Sequence, residues 1–568
     1  MTDEDDYQSS DANKSHISPV RTYGDEKVHP LYRSTSRSTV ASRYDVHSIY
    51  GDADETTVAL ERASSRATVA SQVAENSLYR QETRITVEGV DEIPAGEEFE
   101  KEDPELITWT SPEDPENPRN WASRRKVKIT LLASLQTLIP TVASSIISPA
   151  VPYILKSYDN HNTIVGSLMV SIMVLIWGFS AIVWAPMSEM IGRKIVLIAS
   201  GSGNFVFNIC SAVAPTTATQ LVFRALAGVF NSAPIAMSGG ALADIYNDDD
   251  RQWPMAIWAL APACGPGIAP ILGGWIAERT DWSWVFWVVV ILQGITLVAL
   301  VIFYEETYPM LILKAKKKRL IKETGNENLY TVWDLNKLSL VQELKLVTIR
   351  PVLFLTLNPV VTLLATYLAY TYGFMYLILT EFPSLWTKIY HYSPGISGLM
   401  YIGYSTGMLL GALFWPLVIN WWFRRRQRIG KDKLEDRLFW LPVATLILAA
   451  GMFWYGWSAQ ARLKWPMPCV GIGIFCFGLF CVFQCVQSYI VSLNARLAGS
   501  ALSACVLGRC LMGGTFPLCG AKLYELGYGN ASTIVACLAL ALGFPWPIMI
   551  YVYGPRLRAW ADKNIKID

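Results

Sequence analysis

A few charged residues stand inside or beside long apolar stretches, where each must find a partner or water. Arg193 follows Gly192 and precedes Lys194, with Glu189 one helical turn before it. Asp244 ends a later apolar stretch, Gly239-Gly240-Ala241-Leu242-Ala243-Asp244-Ile245. This is the chemistry of an ion pair that can make and break, because Arg193 can reach an acid on a neighbouring helix. Glu189 suits a helix N-terminus or a base, since negative charge is favoured at that dipole end. Arg224 is alone in Leu221-Val222-Phe223-Arg224-Ala225-Leu226. A cation in hydrocarbon is costly and needs a partner or water. Two readings stay open for it: coupling or gating, and a structural hydrogen bond reached by snorkelling.

Bond-making chemistry finds little support. Of five His, His16, His29 and His47 lie in a polar N-terminal stretch, and His161 and His391 in short polar loops. No metal-ligand set, nucleophile motif or phosphate loop follows from these residues, so no catalytic residue and no metal site is expected. The ten Cys form no CxxC pair and fall almost entirely in apolar stretches, where they read as small hydrophobes. A carboxylate deep in an apolar stretch, the usual carrier of a proton, is not evident. Asp244, Glu278 and Glu381 all read as lying near the ends.

The composition says what holds these residues. The chain has 568 residues, 52% hydrophobic and 17% charged, and a net charge of +1. Mean hydropathy is +0.28. Soluble domains carry about 25% charge, and here the charges crowd into the first ~125 residues and a few loops. A disordered chain, a disulfide scaffold and a nucleic-acid binder with a basic face are excluded. A polytopic membrane protein remains. The expected fold is all-α, with twelve apolar stretches long enough to cross a bilayer, the first over 128–151, the seventh over 352–378 and the last over 532–553. Residues 1–125 read as a disordered tail, 126–304 as a six-helix half, 305–350 as a charged central loop, 351–554 as a second six-helix half, and 555–568 as a C-terminal tail. Arg193-Lys194, the Lys314–Arg319 cluster and Arg424-Arg425-Arg426 crowd the loops on the tail side. The positive-inside rule then places both termini in the cytoplasm. Ser and Thr beside Arg37 and Arg66 are candidate kinase sites in the tail.

Several motifs resemble one family. Ala185-Pro186-Met187-Ser188-Glu189-Met190-Ile191-Gly192-Arg193-Lys194, between spans 2 and 3, resembles the major facilitator signature, with Ala185 and Glu189 as mild departures. Arg224 resembles the family's lone arginine of span 4. Gly265-Pro266-Gly267-Ile268-Ala269-Pro270-Ile271-Leu272-Gly273-Gly274, in span 5, is similar to the antiporter signature, with Ala269 in place of glycine. Asp114-Pro115-Glu116-Asn117-Pro118-Arg119-Asn120-Trp121, Glu306-Thr307-Tyr308 and Phe516-Pro517-Leu518 look like the twelve-span drug:proton antiporters of fungi.

The resemblance, over about 108–556, implies a major facilitator fold and a carrier working by alternating access. It assigns gating to Glu189, Gly192, Arg193, Lys194 and Asp244, and a pliable hinge to Gly265, Pro266, Pro270, Gly273 and Gly274. It implies a substrate site at the midplane between the halves. Polar and aromatic candidates there are Gln136, Trp177, Asn231, Asn358, Tyr367, Tyr370, Tyr404, Gln484, Gln487 and Arg509. The expected function is proton-coupled export of drugs or small organic molecules. An importer of a natural metabolite such as a polyamine, and a non-transporting nutrient sensor, are the alternatives. No cofactor is expected beyond the proton. The expected partners are the bilayer and a small-molecule substrate, with a monomeric chain in the plasma membrane, or alternatively the vacuolar one.

Overall fold

The computed structural model describes residues 105–564, apart from 112, 248–249, 332–333, 335–339, 431–432 and 494–497. Most of the N-terminal tail, including Arg37 and Arg66 with their Ser/Thr neighbours, lies outside the described residues.

The chain is built of helices. A bilayer core offers no water to backbone N–H and C=O groups, so a helix that bonds its own backbone is the stable way to cross it. Among the described residues, eleven helices are long and apolar enough to span: Ser123–Ser157, Thr163–Ile191, Arg193–Ala212, Thr217–Ile245, Trp253–Arg279, Trp284–Phe303, Pro359–Ile389, Pro394–Arg428, Leu434–Gln460, Pro466–Leu493 and Tyr528–Arg558. A twelfth, between the last two, is the pair Ala501–Thr515 and Pro517–Glu525, bent by 46°. We number these spans 1 to 12. The bend in span 11 falls at Phe516-Pro517, where proline removes a backbone donor. Large apolar side chains such as Trp253, Ile295 and Leu417 stay exposed on the outside of the bundle, as a lipid-facing surface requires.

Three boundaries depart from the sequence expectation. The stretch 1–125 is not uniformly tail. Leu106 pairs with Tyr330, the Ile107 amide donating to the Tyr330 carbonyl and the Tyr330 amide to the Glu105 carbonyl; Asp114 bonds Lys316 at 3.0 Å and Glu116 bonds Arg319 at 2.7 Å. The segment from 105 onward is therefore folded against the helix Pro309–Thr324, which lies within the central loop. The Asp114 carboxyl illustrates why. Burial opposes its charge, yet the Thr110 and Glu116 amides and the Lys316 ammonium hold its pKa down at about 2. At the other end, the helix Pro545–Asn564 runs through the expected boundary at 555.

Span 7 is also displaced. Residues 352–357 finish a separate helix, Leu340–Leu357, and Asn358 starts the next by accepting from the Val360 and Val361 amides. An asparagine before a proline is a strong helix start, since it caps orphan donors and proline at the first turn needs none. The span then continues to Ile389, so Glu381 lies inside it, eight residues from its end.

The two halves meet through small residues. A side chain on Gly273 would run into the Ile146 carbonyl of span 1, and one on Gly274 into span 8 at Pro394 and Gly398. Gly178 of span 2 packs on Leu507 and Cys510 of span 11. Between bilayer-embedded helices, such close backbone approach gives the packing that hydrophobic burial cannot supply.

Candidate functional site

The turn from span 2 to span 3 is as tight as its sequence requires. Gly192 has φ +116°, a conformation that side chains resist. It places Arg193 at the first position of span 3, almost fully buried. The guanidinium donates to Asp244 at 3.2 Å, to the Ser188 hydroxyl at 2.5 Å and to Glu189 at 3.5 Å. The Tyr308 ring centroid lies 5.0 Å from it. The structure thus brings Glu189, Gly192, Arg193 and Asp244 together, with Lys194 adjoining.

Of the two partners open to Glu189, a helix N-terminus or a base, it meets the base, Arg193. The N-terminus of span 3 is held by Glu306, accepting from the Arg193 amide at 3.0 Å and the Lys194 amide at 3.1 Å, as well as from Thr307 and Tyr308. The first N–H groups of a helix lack internal partners and favour negative charge. Glu306 comes from the chain just after span 6, so the cluster ties spans 2, 3, 4 and the start of the central loop. The sequence signal was the Glu306-Thr307-Tyr308 stretch, which carried no chemistry until the fold placed it.

A second cluster of charges closes the same face of the other half. Asp436 meets Arg426 at 3.3 Å and the Tyr551 hydroxyl at 3.2 Å, and Glu435 meets Arg558 at 2.7 Å. Both acids are about 1% exposed. They follow the basic stretch after span 8, as Asp244 answers Arg193, and were hidden by the count of positive charges around them.

Arg224 is fully buried and needs no acid. Its Nε donates to the Met169 carbonyl, and its terminal nitrogens lie 3.4 Å from the carbonyls of Ala143 and Ser144. It joins spans 1, 2 and 4 through backbone oxygens, so it does not snorkel to the interface.

Span 5 carries its glycines toward two partners. A side chain on Gly265 would strike Thr141 of span 1, and one on Gly267 would strike Ser405 of span 8. Pro262, Pro266 and Pro270 all lie inside the helix. The far side of the halves is bound by Glu278 accepting from the Gly395 amide at 2.6 Å, and by Ser148 donating to the Leu379 carbonyl at 2.7 Å.

The midplane candidates separate into groups. Gln136 is bonded to Gln293, which accepts from Asn204, inside the first half. Tyr367 bonds Thr445 of span 9 at 2.7 Å, and Tyr370 donates to the Val535 carbonyl of span 12 at 3.0 Å. Asn358 is a helix cap. These four side chains have structural partners within one half. Trp177, Asn231 and Tyr404 are buried at mid-span with a polar atom lacking a partner, which suits a polar ligand. Gln484 and Gln487 lie half-buried on one face of span 10. Arg509 of span 11 lies by the rings of Tyr372 and Phe483, at 5.2 and 5.1 Å from their centroids. It makes no ion pair among the described residues.

Two bundles of six spans, with glycine-lined seams between them and ion-pair clusters at the ends of the helices, define a membrane carrier rather than an enzyme. The chain belongs to the Major Facilitator Superfamily, whose family model matches residues 133–517. It is 38% identical over 460 residues to the efflux pump vrtL of Penicillium aethiopicum, covering 80% of this chain and 91% of that one. It is 32% identical over 472 residues to the efflux pump radE of Floropilus chiversii, covering 82% and 87%. Among solved structures, it resembles the xylose transporter XylE from E. coli in a partially occluded inward-open conformation, with TM-score 0.53 and 16% identity, covering 76% of this chain and 98% of that one.

Proposed function

We propose that this carrier exports small organic molecules in exchange for protons, by alternating access, from the plasma membrane with both termini in the cytoplasm. The observation that carries this reading is span 5, whose glycines pack it simultaneously on span 1 of its own half and span 8 of the other. A tightly seated, proline-containing helix at the seam suits rocking of the halves without a proton leak. Relatives called efflux pumps support the direction. Under this reading Arg193 and Asp244 form the cytoplasmic latch, Arg224 holds spans 1, 2 and 4 in register for gating, and Arg509, Gln484 and Gln487 meet the substrate. Arg509 without an acid disfavours strongly cationic substrates such as polyamines.

The test is flux in sealed vesicles with an imposed pH gradient, using azole, polyamine, sugar and organic-acid probes. Uptake into acid-interior vesicles, abolished by a protonophore, is the expected result. Flux indifferent to the gradient would replace the antiporter with a facilitative carrier.

A further inference from the structure

Coupling to protons needs a group that binds and releases one, and the in-span carboxylates differ sharply in how they are held. Asp244 and Glu189 share Arg193. Glu278 holds the Gly395 amide. Glu435 and Asp436 hold Arg558 and Arg426. Such fixed partners tie these carboxylates into the helix-end contacts. Glu381 is different. Among the described residues it makes no hydrogen bond and no ion pair.

Its position is also distinct. Span 7 reaches Ile389, so Glu381 is about 12 Å in from that end at 1.5 Å per residue. Its side chain lies against span 11: a Cβ built on Gly520 would sit 3.1 Å from the Glu381 Cγ and 3.3 Å from its Oε1. A side chain at position 520 would crowd the carboxyl, so glycine leaves it room against that backbone. Gly520 comes just beyond the 46° bend of span 11, the place where that helix can swing. The groups that face the carboxyl are Tyr401 of span 8, Tyr455 of span 9, Tyr524 at the end of span 11 and Tyr528 of span 12, with Lys388 of its own helix as the cation that acts on it. Tyr524 is itself buried.

We propose that Glu381 is the proton-carrying residue of this transporter, an inference that rests on the antiporter reading above. One carboxylate oxygen takes a proton from the far-side water, turning a charged group in an apolar, tyrosine-lined site into a neutral one. Loss of the charge lets span 11 settle against span 7 across Gly520. Release of the same proton toward the cytoplasm restores the charge and loosens that contact. Nothing else is oxidised, reduced or transferred. The sequence hid this site because its apolar stretch stops at 378, and only the continued helix carries Glu381 into the membrane.

The test compares wild type with Glu381→Gln and Glu381→Asp in liposomes, using whichever azole or organic-acid probe wild type moves fastest. The readout is the ratio of gradient-driven accumulation to gradient-free exchange, with an infrared pH titration of the carboxyl band alongside. The expected result is a ratio at least tenfold lower in Glu381→Gln, substantially restored in Glu381→Asp, and loss of one titrating carboxyl band in the glutamine variant. An unchanged ratio or an unchanged band in Glu381→Gln overturns the proposal. So does loss of both transport modes in Glu381→Gln that Glu381→Asp fails to restore. Wild-type flux that ignores the gradient would sink the antiporter reading instead, and the infrared titration would then decide separately whether Glu381 binds a proton.

Discussion

Arg193 at the start of span 3 holds Asp244 at the end of span 4 at 3.2 Å, while its own backbone amide is held by Glu306 at 3.0 Å. One residue therefore joins three parts of the chain. Its side chain binds the end of span 4, and its main chain binds the segment that leaves span 6. Under the proposed latch role, the pair is tied to the central loop as well as to its acid.

Removing either charge of the pair should stop transport without unfolding the bundle. We expect Arg193→Ala and Asp244→Ala to reach the membrane at near-normal levels and to transport at under a tenth of the wild-type rate. Glu306→Gln keeps a capping acceptor but loses the charge, so it should cost about 1 kcal/mol of local stability and slow transport several-fold. Normal flux in Arg193→Ala would show that the cluster is structural.

The seam of span 5 makes a compensation test possible. Gly265→Ala places a methyl group on Thr141 and should reduce flux at least fivefold. Thr141→Gly in the same chain removes the obstructing atoms and should recover much of that loss. Pro266→Ala should lower coupled efflux more than it lowers the amount of protein. An additive double variant would mean that the contact with span 1 does not govern the motion.

Arg224 reaches three backbone carbonyls on two neighbouring spans, which a planar guanidinium can do and a single ammonium does poorly. Arg224→Lys should therefore lower the unfolding temperature of the purified protein by several degrees, and not only its activity. A lysine variant as stable as wild type would return Arg224 to a purely functional role.

The two groups of midplane residues should separate in kinetics. Gln136→Ala breaks a buried amide pair and should cost about 1–2 kcal/mol of stability, with little change in the apparent KM. Arg509→Ala should raise the KM for acidic probes at least tenfold while leaving stability nearly intact. The reverse pattern would exchange their assignments.

The clasp between the N-terminal segment and the central loop has a pH signature. The Asp114 carboxyl is held at about 2, below its ordinary 3.8, so its contribution is complete above about pH 4 and fades as pH falls toward 2. Protease cleavage near residues 105–121 should accelerate over that window. Asp114→Asn should already be cleaved faster at pH 7. Equal cleavage of variant and wild type at neutral pH would mean that Asp114 does not hold the segment.

The sequence alone determined that this protein lives in a membrane, that it crosses about twelve times in two halves, and that Gly192, Arg193 and the span 5 motif stand at its tight turn and its tightly packed helix. Those features are local: apolar length is set by bilayer thickness, and a short turn or a glycine-proline helix is written in consecutive residues. The tertiary structure decided which charges have partners. Glu306, Glu435 and Asp436 found theirs through segments far apart in the chain, and Gln136, Tyr367 and Tyr370 are engaged in contacts within one half. It also decided where span 7 ends, because a helix can carry Pro383 and a charged residue once neighbouring spans shelter them. That extension brings Glu381 into the bundle beside Gly520, a proximity between spans 7 and 11 that no local pattern encodes.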